Sequence, residues 1–427
     1  MLTAMPTAAP SPSPQATPVS RGRGDACPGT LRLHTADDGA LARVRVPGGV
    51  LTADQARALG IAARRLGDGD LHLTSRGNVQ LRALKDGCGP ELARTLDAAG
   101  LLPSREHERV RNVVASPLSG LDGRGLGDVR PWLTELDAAL CASRAARDLS
   151  GRFLFALDDG RGDVSGLGAD VLVRAVADGG AWLSPGAVRV SAGDAARAAL
   201  TAAEVFLQAA RSQGARAWRV SELALPEGAM DRLVRQRLEA EGIGHEECPE
   251  PVGAASGPAP GVLDGAVSVH VPLGRFSARQ WEELTRVCDT ELRLTPWRGV
   301  VLPTAGAAAS RAAGTLARLT ATGLVGDPAS PWLRVGACVG RPGCAKAHAD
   351  VRADAAGALD ATGGPGLPLY WSGCERRCGH PRGDHVSVVA TPGGGYQVST
   401  DRAGQNPRTV SVRDPSRVSA ALTTSTS

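Results

Sequence analysis

Apolar and polar residues alternate over Leu41–Val46 and again over Val267–Val271, the period-two pattern of a half-buried strand. Thr52 and Ser277 then stand where a helix N-cap belongs, each ahead of an apolar-periodic run. A Leu-x-Leu-Thr strand comes next in both places, ending at Thr74 and Thr295. Pro47, Ala53 and Gln55 align with Pro272, Ala278 and Gln280 at one offset, and Leu71, Leu73, Thr74, Val79 and Leu81 align with Leu292, Leu294, Thr295, Val300 and Leu302 at an offset four residues shorter. Four residues are about one helical turn, so the second helix is expected to be a turn shorter than the first. Chance similarity of two β-α-β pieces is the alternative, but the shared order of Pro, Thr/Ser-Ala-x-Gln and Leu-x-Leu-Thr favours duplication. Two copies far apart do not make a solenoid. They predict two related halves about a pseudo-twofold axis, with a site between them.

The segments after the two copies read differently. After the first come a helical stretch at Ala195–Ala210 and strand-like stretches at Phe153–Leu157 and Val171–Val176; after the second comes a cysteine-bearing segment, about 330–415. Pro249–Pro260, PEPVGAASGPAP, is a linker, because Pro and Gly block regular structure. The expected organisation is a disordered tail over 1–26, a first repeat over 27–103, a partner domain over 104–248, a linker over 249–262, a second repeat over 263–328, a cysteine domain over 329–415 and a loose tail over 416–427.

Composition narrows the class. A net charge of +4 over 427 residues gives no case for nucleic acid or a membrane surface. No run approaches the ~18 apolar residues of a spanning helix. The Ala/Pro/Ser/Thr-rich start lacks the apolar stretch of a secretory signal. Nine scattered cysteines, an odd number, are unlike a secreted disulfide scaffold, and imply a reduced, cytoplasmic, metal-binding protein. Only Lys85 and Lys346 are lysines among the 48 basic residues.

Cys338 and Cys344 form a Cys-x5-Cys pair, and Cys374 and Cys378 a Cys-x3-Cys pair. Four thiolates on glycine-rich loops suit a 4Fe–4S cubane, since Gly340, Pro342 and Gly343 let the backbone bend closely around an inorganic core. A structural zinc site is the alternative, although x5 lies outside its usual first spacing. Cys344 is expected to open a helix whose N-terminal N–H groups face the anionic cluster. Cys27, Cys88, Cys141, Cys248 and Cys288 have no ligand-like spacing and read as ordinary thiols.

These pairs, behind a duplicated half-domain, resemble the siroheme nitrite and sulfite reductase superfamily. Thr74-Ser75-Arg76-Gly77-Asn78-Val79-Gln80 is similar to the superfamily's Thr-Thr/Ser-Arg-x-x-x-Gln segment, and Arg111-Asn112-Val113 to its Arg-Asn-Val motif. The resemblance covers roughly 27–415. It implies an α+β fold of duplicated ferredoxin-like half-domains, each followed by an α/β siroheme/iron–sulfur-type domain about a pseudo-twofold axis. It also implies cluster ligands Cys338, Cys344, Cys374 and Cys378, and a tetrapyrrole held by Arg76, Asn78, Gln80, Arg111 and Asn112. Guanidinium groups pair bidentately with the carboxylates of such a macrocycle and stay charged.

The reductases carry a Lys-x-Lys pair of proton donors. The matching stretch here is Ser150-Gly151-Arg152-Phe153-Leu154, with Arg152 and Leu154 at the lysine positions. Arginine is too weak an acid for the task and leucine donates nothing. Gly336-Ala337-Cys338, Ser372-Gly373-Cys374 and Leu294-Thr295-Pro296-Trp297-Arg298-Gly299 instead look like the branch of the superfamily that acts on the macrocycle as substrate. That branch implies dioxygen-dependent hydroxylation of precorrin-3A with γ-lactone formation in aerobic cobalamin biosynthesis. Arg76, Arg111, Arg152 and Arg298 would hold the carboxylates, and a mononuclear non-haem iron would act beside the cluster. No ligand set for that iron is legible, and His348, His380 and His385 read as structural. No dinucleotide fingerprint occurs, so electrons would come from a ferredoxin or an NADH-linked reductase. A siroheme-dependent nitrite or sulfite reductase and a non-catalytic electron-transfer or zinc-stabilised module are the other readings.

Overall fold

A computed structural model describes residues 25–418, apart from 26, 215, 254, 305, 307, 360–365, 382 and 403–408. Most of the two expected tails lies outside the described residues. Val418, assigned to the loose C-terminal tail, is instead fully buried against the last sheet.

The two repeats form the expected pair of units. Each has a strand (Gly39–Val44; Ala266–His270), a short turn (Pro47–Gly49; Pro272–Gly274), a helix (Ala53–Leu66; Ala278–Val287) and a hairpin (Leu71–Leu73 with Val79–Leu84; Glu291–Leu294 with Gly299–Pro303). The first helix has 14 residues and the second 10, which accounts for the four-residue change in offset. Thr52 and Ser277 each accept from the backbone N–H of the glutamine three residues on, whose side chain returns to the cap, so both helices start in a capping box.

The copies exchange edges. The short strand Val50–Thr52 of the first repeat pairs antiparallel with Glu291–Arg293 of the second, and Arg275–Phe276 of the second pairs with Leu71–His72 of the first. Each five-stranded sheet is thus completed by the other copy, and the two helices pack together in one apolar core. Trp281 is 1 % exposed and donates its indole N–H to the Ala56 carbonyl at 2.8 Å. Gly60 gives it room, since a Cβ there would lie 2.7 Å from the indole ring. Trp281→Ala is expected to cost ~3–5 kcal/mol, the range for truncating a core aromatic, read as a lower urea midpoint.

The segments after the repeats, read as unlike in sequence, share one topology. In the first, Val113–Ala115, Phe155–Asp158 and Val171–Ala175 run parallel, and Ala181–Ser184 and Val188–Val190 return antiparallel, with His245–Glu247 added at the edge. In the second, Val335–Ala337, Leu369–Ser372 and His385–Ala390 run parallel, and Tyr396–Asp401 and Thr409–Val412 return antiparallel. The duplication therefore extends beyond the pieces whose sequences align. The expected α+β architecture, with paired half-domains each followed by a mixed-sheet unit, is the one observed.

Candidate functional site

The polar face of the first repeat's sheet looks onto a cavity of about 680 Å³. Its strands alternate, sending apolar residues to the helix side and Arg43, Arg45, Gln80 and Arg82 to the other. The turn after Leu73 adds Arg76 and Asn78, and the opposite wall carries Arg298, Cys338, Arg352, Tyr370 and Cys378. Arg152 closes a third side, its guanidinium 4.7 Å above the Trp218 ring. Of the residues singled out from sequence, Arg76, Asn78, Gln80, Arg152, Arg298, Cys338 and Cys378 thus meet in one space.

Arg76 and Arg298 reach it from matching turns. Thr74 N–H donates to the Asn78 carbonyl at 2.9 Å, and Thr295 N–H to the Gly299 carbonyl at 2.9 Å. The threonine hydroxyls accept from Asn78 N and Gly299 N at 3.1 and 3.0 Å. The left-handed position is Gly77 (φ 66) in one copy and Arg298 (φ 59) in the other. A non-glycine residue held there costs free energy, as is common at functional sites.

Among the described residues, Arg43, Arg45, Arg76, Arg152, Arg298 and Arg352 form no ion pair with a carboxylate, although all six line the cavity. Burial, and then the positive charges of Arg219, Arg45 and Arg43, lower the Arg76 pKa to about 10. Burial, and then Arg275 and Arg82, lower that of Arg352 to about 10. Both remain charged at neutral pH, crowded by like charge and lacking counter-ions. A polycarboxylate would relieve that repulsion.

Two of the expected binding residues lie behind the wall. Arg111 is 5 % exposed and bidentate with Asp137 at 2.7 and 2.6 Å. Its guanidinium is consumed in an ion pair with the half-buried Asp137 and does not line the cavity. Asn112 is fully buried; it donates to the Phe153 carbonyl and accepts from Asn78, which in turn accepts from Val46 N–H. It supports the Arg76 turn and does not face a ligand.

Sequence reading missed Arg43, Arg45, Arg82 and Arg352. It also took Cys27 for an ordinary thiol, whereas Cys27 lines the cavity and accepts from Arg43 and Arg45, each at 3.3 Å. A signal was available. The positions matching Arg43 and Arg45 in the second repeat are Ser268 and His270, so only the first copy has a basic face. Part of the second copy's face is closed, where Arg293 donates to the Pro117 and Ser119 carbonyls at 2.9 and 2.8 Å and Leu118 packs on Ala266 and Val301, while His270 and Trp297 line an adjoining cavity.

The cysteine loops meet at the end of the last sheet's parallel strands. Cys338 N–H donates to the Trp371 carbonyl at 2.9 Å, and Cys338 Sγ accepts from Gly373 N–H at 3.1 Å. Burial raises the Cys338 pKa, the Gly373 and Gly340 amides oppose this, and Cys378 and Cys374 lie near enough to raise it further. Gly373 is packed so closely that a Cβ would lie 2.6 Å from Ala347, which brings the Cys344 loop against the Cys374 loop. The expected helix does not open at Cys344. It runs from Val351 to Gly357 behind an Asp350 cap, because the Gly373 carbonyl takes the His348 N–H that a helix from Cys344 would return to the Cys344 carbonyl. No helix N-terminus therefore starts at Cys344.

The matching corner of the first half holds no thiols. Ser116 N–H donates to the Leu157 carbonyl at 3.0 Å and Ser116 Oγ accepts from Asp159 N–H at 3.1 Å, the same two bonds that Cys338 makes. Asp158, Asp159 and Asp163 fill the space there. Asp158 accepts from the amides of Gly160, Gly162, Val164 and Ser165, Asp159 pairs with Arg161, and Asp163 accepts from Ser116, with burial raising its pKa to about 7. This is the one close group of three or more possible metal-ligating side chains among the described residues, and its oxygens are already committed. It does not fit the implied mononuclear iron. The four cysteines, with soft donors and amide support on two converging loops, fit an iron–sulfur cluster.

Arg152 faces the cavity, and Leu154, 2 % exposed, lines an adjoining cavity of about 500 Å³. Lys85 and Lys346 are both exposed and line neither.

The fold is that of the nitrite and sulfite reductase architecture. Residues 34–99 match the family described as Nitrite/Sulfite reductase ferredoxin-like half domain. The structure overlays on the NirA protein of Mycobacterium tuberculosis with a TM-score of 0.71 at 20% identity, over 96% of this chain and 84% of that one. Within the class, the chain resembles precorrin-3B synthase: it is 27% identical to that of a Sinorhizobium species, over 88% of this chain and 83% of the relative. Similarity to ferredoxin–nitrite reductases is of equal strength, at 27% for the Synechococcus elongatus enzyme (82% of this chain, 76% of that one) and 27% for the chloroplastic enzyme of Betula pendula (79% and 65%). The relatives are oxidoreductases. Among the described residues no helix is long and apolar enough to cross a membrane.

Proposed function

We propose that this chain is a precorrin-3B synthase: a cytoplasmic monooxygenase that hydroxylates precorrin-3A with γ-lactone formation, using dioxygen and a 4Fe–4S cluster held by Cys338, Cys344, Cys374 and Cys378. The observation that carries the proposal is a cavity ringed by arginines, all but Arg82 (paired with Asp38) without a carboxylate partner among the described residues, beside two of those cysteines and with no lysine on its wall. The macrocycle is anionic at its rim and apolar at its centre. Arg43, Arg45, Arg76 and Arg152 would take carboxylates on one side, and Arg298 and Arg352 on the other, which sets which carbon of the ring faces the chemistry. Asn78 holds the Arg76 turn through Val46 and Asn112. When bound, the cluster supplies electrons one at a time, delivered by a ferredoxin or an NADH-linked reductase. Any mononuclear iron has no ligand set among the described residues and enters no step.

A siroheme-dependent nitrite or sulfite reductase is the second reading, favoured by the similarity to ferredoxin–nitrite reductases. Against it stand Arg152 and Leu154 at the lysine positions. The anaerobic visible spectrum of the purified protein separates the readings. A broad iron–sulfur shoulder without macrocycle bands, together with conversion of precorrin-3A under air, is the expected result. Sharp siroheme bands would establish the reductase, and a colourless protein with stoichiometric zinc would leave a non-catalytic module.

A further inference from the structure

We infer that Tyr370 is a positioning residue that ties Cys378 of the cluster site to Arg298 of the cavity wall, so that the two respond to one another. The inference rests on the cluster assignment above, and not on which reaction the macrocycle undergoes. Tyr370 lies on the strand Leu369–Ser372 and is 3 % exposed. Its hydroxyl donates to the Cys378 carbonyl at 2.8 Å, and its ring lies 5.9 Å from the Arg298 guanidinium. All three residues line the same cavity.

Three backbone positions accommodate this arrangement. Gly336, opposite Tyr370 in the parallel ladder, leaves room that a Cβ would take, 2.6 Å from Arg298 Nη1 and 2.9 Å from Tyr370 Cδ2. Gly379, at φ 81, would place a Cβ 2.8 Å from the tyrosine oxygen. Arg298 itself is held in the left-handed region. Core packing alone asks for none of this, because phenylalanine fills the same volume and leaves no hydroxyl to satisfy.

The choice of partner is informative. The strand ends at Ser372, and Cys378 sits beyond it on an irregular loop as the exposed member of the four cysteines. The tyrosine reaches forward to pin the peptide of that cysteine. Hydrogen bonds around cluster ligands orient them and tune the potential. A cation over the ring couples the same side chain to Arg298. A carboxylate that draws Arg298 into the cavity therefore acts on the Cys378 loop through one rigid aromatic.

Tyr370→Phe keeps the ring and removes the bond. With iron content unchanged, the cluster's midpoint potential should shift, and bleaching in air should accelerate about fivefold, the factor that corresponds to an ordinary hydrogen bond of about 1 kcal/mol. Uroporphyrin, a polycarboxylated probe, should displace the wild-type potential and displace that of the variant less. Gly379→Ala should reproduce the signature by crowding the same hydroxyl. Wild-type potential and bleaching rate in both variants would overturn the inference. A wild-type protein with no iron–sulfur spectrum would overturn it together with the cluster assignment. An intact cluster without conversion of precorrin-3A would refute only the proposed reaction, and the potentials would still decide the role of Tyr370.

Discussion

Cys378→Ser should abolish the iron–sulfur absorbance and, with it, oxidation of the macrocycle, the largest effect expected of any single substitution in this chain. A serine hydroxyl at neutral pH is neither a thiolate nor a soft donor, so three ligands would be left to hold the cluster at its most exposed corner. Activity should fall below detection while far-ultraviolet circular dichroism is retained, because Cys378 lies beyond the strand Leu369–Ser372 and outside the apolar core of its sheet. Iron and sulfide analysis with the visible spectrum reads the result. Full activity with Cys378→Ser would remove Cys378 from the ligand set. Cys288→Ser is the matched control: Cys288 is buried in the core of the repeats, where burial raises its pKa to about 11, and its replacement should leave the spectrum unchanged.

Arg76→Ala should weaken binding of a polycarboxylated tetrapyrrole by ~10- to 100-fold, since hydrogen bonds to a charged group are worth ~1.5–3 kcal/mol. The cluster spectrum should persist, because Arg76 stands on the turn of the first repeat and supplies no thiolate to the site. Fluorescence titration with uroporphyrin measures the loss, and added salt should narrow the gap between variant and wild type as charge is screened. Loss of the cluster in Arg76→Ala would mean that its role is something else. Arg111→Ala makes the contrast. It breaks a partly buried pair with Asp137 and should cost ~1.5–3 kcal/mol of stability, with binding by the folded fraction unaltered. Both arginines read in the sequence as ligand contacts, and only their surroundings separate them: Arg111 is held by Asp137, and Arg76 has no carboxylate partner among the described residues.

Much of the fold was legible because its signals are local. Alternation, N-caps and the Leu-x-Leu-Thr strands depend on neighbours a few residues apart, and the four-residue change in offset reported a helix shorter by one turn. The cysteine pairs were legible because ligation demands residue type and close spacing. The likeness of the two mixed-sheet units was not, since it survives in hydrogen bonds and leaves no matching residues. Ser116 and Cys338 make the same two backbone-anchored bonds at 3.0 and 3.1 Å against 2.9 and 3.1 Å, yet one begins an aspartate network and the other a thiol site. The Cys344 helix was misread for the opposite reason. Its composition favours helix, but the Gly373 carbonyl, from a distant loop, takes the His348 N–H that such a helix would return to the Cys344 carbonyl.

By itself, then, the amino-acid sequence determined the duplicated repeats, the spacing of the two cysteine pairs and the scarcity of lysine, because each is written in residue type and short-range order. Only the tertiary structure decided which arginines matter. Arg43, Arg45 and Arg352 come from distant parts of the chain, and their shared cavity exists because each repeat completes the other's sheet. It also decided that the two pseudo-equivalent faces differ, since Arg293 and Leu118 close part of the second. A side chain's charge is a property of the sequence; whether that charge lacks a partner depends on what the fold places beside it.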